Sequence, residues 1–302
     1  MIYLTYKSDL HDGFGAQYQR ILGVYSICKK YNFNYVHTPL YDIEYQGLAA
    51  LEKNENDPNF VNFCNEKYMV KSTCDAPPKY DEIITKDLSL KELLSLDHES
   101  KDILVKYKFP YIITDCDDTI YQHVQGIYKP SIPKNEIFTV GLHVRRGELN
   151  VVSCKRLLPN SYYINIANTI KNICIKHNKP FIIELYTEVA TQIIKVTPTH
   201  VGINKRINRA RAITPESSAI EDFDVLPQLH KYINMTMSET FDRMINCDIL
   251  LSSRSSFSAC AAYIKEGITI YHPFQHNMQS RNISSQDSDW KSKAEHFIID
   301  RS

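Results

Sequence analysis

IFTVGLHVRRGE, residues Ile137 to Glu148, decides the reading of this chain. The apolar run Ile137–His143 reads as a β-strand that continues through Val144 into Arg145, Arg146, Gly147 and Glu148. Open parallel sheets bind ligands at the carboxyl ends of their strands, so the charged end of this strand is where chemistry is expected. If the strand continues through both arginines, their side chains point to opposite sides. One then reaches a ligand while the other ties down the loop or pairs with Glu148, and Gly147 lets the chain turn sharply.

Downstream, the segments alternate. A helix is expected over Tyr162–Lys176, a strand over Phe181–Tyr186 ending near Thr187 and Glu188, and a basic helix over Asn204–Ala212. A short amphipathic helix is expected over Ser238–Asn246, capped by Ser238. Strand Asp248–Leu251, loop Ser252–Phe257, helix Ser258–Lys265 and strand Ile268–Tyr271 follow. Upstream, Ile2–Tyr6 reads as a strand, Ser8–Gly13 as a turn, Gln17–Lys30 as a helix and Phe33–His37 as a second strand. Asp42–Lys106 is mostly polar with short helical stretches, Tyr111–Thr114 reads as a strand, and Gly126–Lys134, with two prolines, reads as a linker. Short strands alternating with helices predict an α/β fold with mostly parallel sheets, divided into domains at 1–134 and 135–302.

Two strand ends in the second half are unusually polar. Arg145 suits a diphosphate because its guanidinium offers two parallel hydrogen bonds, and it would stabilise the charge that builds on a departing diphosphate. At Ser252–Ala262, SSRSSFSACAA, a strand ends, hydroxyls crowd a loop and a helix begins. Helix starts favour phosphate, and Ser255 and Ser256 add hydroxyl donors, with Phe257 bracing the loop. The bland alternative is that a serine simply caps the helix. Together the two ends predict a diphosphate-binding cleft. Asp248 and Asp224 are carboxylates that could reach a nucleotide base, and a structural role serves either equally well. In the first half, Gly13 and Gly15 would let backbone approach a ligand closely, or merely make a tight turn.

Composition narrows the classes. The 302 residues are 43% hydrophobic, enough for a real core, and the 35 basic residues equal the 35 acidic ones. No net positive field exists to hold a nucleic acid or a membrane surface. Eight cysteines carry no CxxC pair or zinc spacing, and Cys28 and Cys260 read as buried free thiols, which favours a reducing compartment. The start, MIYLTYKSDLHDG, holds no stretch apolar enough for a signal peptide or membrane span, so a cytoplasmic location is expected.

HVRRGE (His143–Glu148) resembles the HxRRG(D/E) motif of inverting fucosyltransferases, the superfamily holding the α1,2-, α1,6- and protein O-fucosyl enzymes. MINCDILLSSRSSFSACAAYI (Met244–Ile264) resembles their closing signature. DGFGAQYQR (Asp12–Arg20) resembles their G-x-G-N-Q loop, and Leu158–Tyr163 resembles a Leu-Pro-x-x-Tyr-Tyr segment of the α1,2 branch. The resemblance implies a GT-B fold, two Rossmann-like domains facing each other across a cleft. It implies metal-independent, inverting transfer from GDP-fucose or another GDP-sugar to a glycan acceptor, with no separate cofactor. Arg145 would grip the diphosphate and Arg146 support it. His143 would sit near the nucleotide. Ser255, Ser256 and Phe257 would line the phosphate and sugar end, and Gly13 and Gly15 would face the donor. Asp12, Glu148 and His11 are the candidate general bases. Three positions depart from the pattern: Ala16 replaces an Asn, Glu148 an Asp, and Ala259 with Cys260 replace aromatics.

Two other readings stand beside this one. Asp115–Asp118, DCDD, contains a DxD pattern that could hold a divalent cation in a GT-A-type transferase. A non-catalytic glycan- or nucleotide-binding module could also be built on the same fold.

Overall fold

The computed structural model describes the whole chain except residues 8–11, 54, 76–78, 98, 110–116, 150–153, 198–209, 275–277 and 302. The first half holds a four-stranded sheet of β1 (Ile2–Tyr6), β2 (Asn34–Tyr35), β3 (Glu82–Ile84) and β4 (Ile103–Tyr107), in the order β2-β1-β4-β3. The second holds a six-stranded sheet of β5 (Phe138–His143), β6 (Phe181–Thr187), β9 (Leu229–Ile233), β10 (Ile249–Leu251), β11 (Ile268–Tyr271) and β12 (Ile283–Ser284), in the order β12-β11-β10-β5-β6-β9. Every pairing in both sheets is parallel. Between β6 and β9 lies a small antiparallel pair, β7 (Ile194–Val196) with β8 (Arg211–Ile213). The expected α/β class with two Rossmann-like sheets is what the chain forms.

Parallel neighbours need crossover connections, and helices supply them. They are α1 (Phe14–Tyr31) after β1, α6 (Asn160–Lys176) after β5, α7 (Met237–Asn246) after β9 and α8 (Ser256–Ile264) after β10. Shorter helices are α2 (Leu48–Lys53), α3 (Phe60–Tyr68), α4 (Leu90–Leu94) and α5 (Thr119–Gln122), and α9 (Trp290–Asp300) follows β12. In α6 the buried residues Tyr163, Ile166, Ala167, Ile170, Ile173 and Cys174 recur at helical spacing, which makes one apolar stripe. That stripe and α9 cover one face of the second sheet, packing on Val140, Leu142, Ile183 and Leu185.

The other face of that sheet belongs to a core shared by both halves. Tyr18, Ile21 and Leu22 of α1 join Phe241 and Met244 of α7 and Ala261 and Tyr263 of α8 in one cluster. Phe241 and Phe257 stack with ring centroids 5.2 Å apart, and Tyr121 stacks on Tyr263 at 4.4 Å. The stretch before residue 134 is tied to the second half as well: the Tyr128 hydroxyl donates to buried Asp242, whose other oxygen accepts from the Ser131 amide at 2.9 Å. A third, small cluster joins Leu48 and Leu51 of α2 to Ala190, Ile194, Val196 and Ile213 of the second half.

Several expectations need correction. Helix α1 begins at Phe14, so Gly13 is its N-cap residue and Gly15 lies inside its first turn. Helix α8 begins at Ser256 rather than Ser258, with Ser255 as its cap. Thr236, not Ser238, caps α7, because its side chain and that of Glu239 form a reciprocal capping box. The basic segment Asn204–Ala212 lies mostly outside the described residues, and its described end, Arg211–Ile213, is strand β8. The polar stretch 42–106 conceals β3 and β4, and β4 is a central strand of the first sheet. Cys28 and Cys260 are buried free thiols as expected. No helix among the described residues is long and apolar enough to cross a membrane.

Candidate functional site

Parallel register brings the carboxyl ends of the second sheet together: Leu142 lies opposite Leu251, and His143 opposite Tyr186. Just past this edge the two arginines diverge, as the pleat requires. Arg145 donates from Nη1 to the Ser255 hydroxyl at 3.0 Å and from Nη2 to the Glu148 carboxylate. Arg146 points the other way. It is buried and donates to the carbonyls of Arg145 and Leu158, at 3.0 and 3.1 Å, and to the Asn160 side chain. Its role is therefore to hold the loop onto the start of α6. Arg145 by contrast keeps its side chain 19% exposed at the sheet edge.

Ser255 joins the two polar strand ends. Its hydroxyl accepts from Arg145 and, at 3.3 Å, from the Phe257 amide at the start of α8. A guanidinium is thus fixed against a helix N-terminus, two features that each favour an anion. Ser256 sits beside it in the first turn of α8. Behind them, His143 Nδ1 lies 2.9 Å from the Ser253 hydroxyl, and its ring meets Phe257 edge-on at 5.9 Å. Burial, with Arg145 close by, lowers the His143 pKa to about 3, so the imidazole is neutral at physiological pH.

Glu148 is fully buried, with one oxygen on Arg145 and the other, Oε2, without a hydrogen-bond partner. Burial works against the charge on Arg145, and Glu148 beside it more than restores it, so its pKa is raised. A second carboxylate, Glu188, lies at the end of β6. It accepts from the Tyr45 hydroxyl at 3.0 Å and the Leu48 amide at 2.8 Å, both from the first half. Burial, and then the charge of Glu148, raises its pKa. Two glycines make room for it. A Cβ on Gly47 (φ 104°) would lie 2.9 Å from Glu188 Oε1, and one on Gly147 (φ 47°) would lie 3.1 Å from Oε2. Both positive φ values favour glycine independently. Sequence reasoning saw Glu188 at a strand end without giving it a role, and did not single out Tyr45 or Gly47. The available signal was a carboxylate placed at the end of β6 as Arg145 is at the end of β5.

The other predicted residues are placed elsewhere. Gly15 faces protein rather than a ligand: a Cβ there would lie 2.4 Å from the Phe257 amide nitrogen and 2.5 Å from its Cα. The Gly15 carbonyl also accepts from the Cys260 thiol at 2.9 Å, so Cys260 is part of a tight helix contact. A Cβ on Gly13 would meet nothing within 4 Å. Asp12 forms an ion pair with buried Arg20 at 2.8 Å. Asp248 does not belong with the site, because it precedes β10 and lies at the amino edge of the sheet. There it accepts from the Thr139 amide at 2.9 Å and the Lys134 ammonium at 2.7 Å. Of the DCDD run, Asp115 lies outside the described residues, as does His11. Asp117 pairs with Lys30 at 2.5 Å and Asp118 accepts from the Ser280 amide at 2.8 Å, which are structural ties. Among the described residues, no group of three or more His, Cys, Asp or Glu side chains could hold a metal ion.

No protein-family model matches the sequence, and no curated relative matches it. Among solved structures, the chain is similar to fucosyltransferase NodZ from Bradyrhizobium, at 10% identity and a TM-score of 0.34, over 87% of this chain and 92% of that one. NodZ soaked with GDP-fucose, described as an α-1,6-fucosyltransferase, gives 9% identity and a TM-score of 0.38 over the same shares. The E. coli heptosyltransferase WaaC with ADP gives 11% identity and a TM-score of 0.40, over 100% of both chains. At these identities and TM-scores the likeness carries no further weight.

Proposed function

We propose that the chain is a glycosyltransferase that takes its sugar from a GDP-sugar, fucose first among the candidates, and passes it with inversion to a glycan hydroxyl. One observation carries this reading: Arg145 is fixed between Ser255, at the start of α8, and Glu148, at the carboxyl edge of the second sheet. A guanidinium held in this way stabilises charge developing on a leaving diphosphate without having to reorganise. GDP and fucose come from the sequence resemblance alone. In this reading Arg145 binds the diphosphate, Glu148 orients Arg145, and Arg146 fixes the loop. Asp12 faces its own arginine, so the transfer relies more on leaving-group stabilisation than on a strong base.

A binding module remains the second reading, and the seating of Gly15 on the Phe257 backbone favours it, because that contact fills space where a donor was expected. The two separate on turnover. Wild-type protein is incubated with a panel of GDP-, ADP- and UDP-sugars, with and without EDTA, and nucleoside diphosphate release is followed. Release from GDP-fucose that EDTA does not affect is the expected result. Release from a different GDP-sugar keeps the mechanism and changes the donor. EDTA-sensitive release would revive the metal-dependent reading, binding without release would make the chain a module, and no interaction with any GDP-sugar would sink the donor assignment.

A further inference from the structure

The end of β6 carries a carboxylate that the donor reading leaves without a task. This strand end is fixed beside the one that leads to Arg145: the Tyr186 carbonyl accepts from the Val144 amide at 2.9 Å, and the Thr187 hydroxyl donates to the Val144 carbonyl at 2.6 Å. Glu188 is the next residue. It is half-buried, and its carboxylate is held from the first half, with the Leu48 amide on Oε1 and the Tyr45 hydroxyl on Oε2. The same stretch of the first half is tied back to the loop before α1. The Asp12 carbonyl accepts from the Glu44 amide at 3.2 Å, and Gln17 Nε2 donates to the carbonyls of Asp12 and Asp42, at 2.8 and 2.6 Å. A second carboxylate crosses the other way: Glu52 of α2 accepts from the amide and hydroxyl of Thr191, at 3.0 and 2.9 Å. The stretch 42–52 is thus fastened to the second half by two carboxylates, and Glu188 is the one beside Arg145.

The charge around Glu188 does not balance. The titratable and charged groups that face it are Tyr45 from the first half and Arg145 and Glu148 from the end of β5, while the 215–218 turn brings the Ser218 hydroxyl, which donates to the Glu188 carbonyl at 3.4 Å. One guanidinium therefore serves two carboxylates. Glu148 has it as ion-pair partner and keeps a second, buried oxygen without a hydrogen bond. Glu188 is held by an amide and a phenol, which are neutral donors, and among the described residues it forms no ion pair of its own. A diphosphate on Arg145 brings further negative charge into the same partly buried space. Crowded like charges raise one another's proton affinity, and the carboxylate without a cation of its own is the one to take the proton. Burial, and then the charge of Glu148, already raises the Glu188 pKa. Tyr45 suits the change, because a hydroxyl donates to a carboxylate and accepts from a carboxylic acid. Oε1 keeps the Leu48 amide in both states, so the tie between the halves survives.

We propose that Glu188 is a positioning residue that fastens the Tyr45–Leu48 segment to the donor edge and takes up a proton from solvent when the diphosphate of a sugar donor occupies Arg145. This rests on the donor reading above. The acid form keeps the first-half segment in place beside the occupied phosphate site, where a second carboxylate charge would be repelled.

The test is calorimetric and needs no turnover. The GDP-sugar selected by the donor panel, GDP-fucose first, is titrated without acceptor in buffers of different ionisation enthalpy, across about pH 5–8. The proteins are wild type, Glu188→Gln, Glu188→Ala and Tyr45→Phe, with melting temperatures recorded for each. Both phosphates of this ligand are esterified, so the ligand itself does not titrate there. Wild type should take up at most about one proton on binding, and its affinity should fall as pH rises through the interval, by up to about tenfold per pH unit. Glu188→Gln, the neutral copy of the acid form, should melt like wild type and bind with no proton uptake and a flat pH profile. Glu188→Ala should lose the uptake and melting temperature together, because it also cuts the tie to Leu48 and Tyr45. Tyr45→Phe removes a donor to the carboxylate, so its uptake should move to higher pH. Buffer-independent binding by wild type throughout, or uptake that persists in Glu188→Gln, overturns the proposal and leaves the donor reading standing. If Glu188→Gln does not fold, a Tyr45→Phe profile identical to wild type overturns it instead. No binding of any GDP-sugar by wild type sinks the donor reading itself.

Discussion

The loop at the start of α1, where the sequence left ligand approach and a plain turn open, and the edge at the end of β5, where it favoured a ligand, are used by the fold in opposite ways. At the β5 edge, Arg145 is held by Ser255 and Glu148, side chains that position a charge at the carboxyl end of the sheet. At the start of α1, Gly15 lies against the backbone of Phe257, and its missing side chain allows two helices to touch. A glycine signals that something comes close without saying what. An arginine ending an apolar strand signals a charge that must find a partner, and at a parallel sheet's carboxyl edge that partner is more often a ligand.

Substitutions on the two sides can break this contrast. Removing Glu148 leaves a mostly buried guanidinium without its carboxylate, and Glu148→Ala should lower stability by about 3 kcal/mol. Denaturant unfolding measures it, and an unchanged midpoint would mean that the ion pair does not hold the edge together. Gly15→Ala should cost about 1–3 kcal/mol, because backbone rather than a flexible side chain stands in the way of the new Cβ. Gly13→Ala, where a Cβ meets nothing within 4 Å, should change stability by at most about 1 kcal/mol. Equal effects at the two glycines would mean that the helix contact is not what requires Gly15.

A separate effect concerns acid. His143 titrates near pH 3 in the folded chain and near 6.5 when unfolded, so below about pH 6.5 the unfolded chain takes up the proton first. Its contribution to stability is therefore intact above that pH and is lost between about pH 6.5 and pH 3. His143→Gln should flatten the acid limb of the stability profile over that interval. A limb of unchanged slope would place the titration in other groups.

The second sheet was legible because its strands are compact apolar runs, so β5, β10 and β11 could be placed to within a residue or so of their observed bounds. The first sheet was half hidden. Strand β3 is three residues long with two exposed, and β4 carries an exposed lysine within a charged stretch, so neither offers a clean period. At the site, Arg145 and Ser255 could be named because each lies on a recognisable strand–loop–helix turn. Glu188 could not, since its amide donor Leu48 lies 140 residues away in the chain and only the fold brings Gly47 and Gly147 to its two oxygens. Arg146 could be separated from Arg145 by pleat alternation, though not assigned to Leu158 and Asn160. Asp248 was misplaced because a strand's polar flank does not reveal which edge of the sheet it occupies.

The most direct measurement is the rate of GDP release from GDP-fucose by wild type, Arg145→Ala and Arg146→Ala, each checked for folding by its melting temperature. Removing one preorganised donor to the leaving diphosphate should lower the Arg145→Ala rate by about 100-fold or more. Arg146→Ala should instead lose melting temperature, with a smaller fall in rate for the fraction that stays folded. Arg145→Ala releasing GDP at the wild-type rate would contradict the assignment of this arginine and, with it, the site.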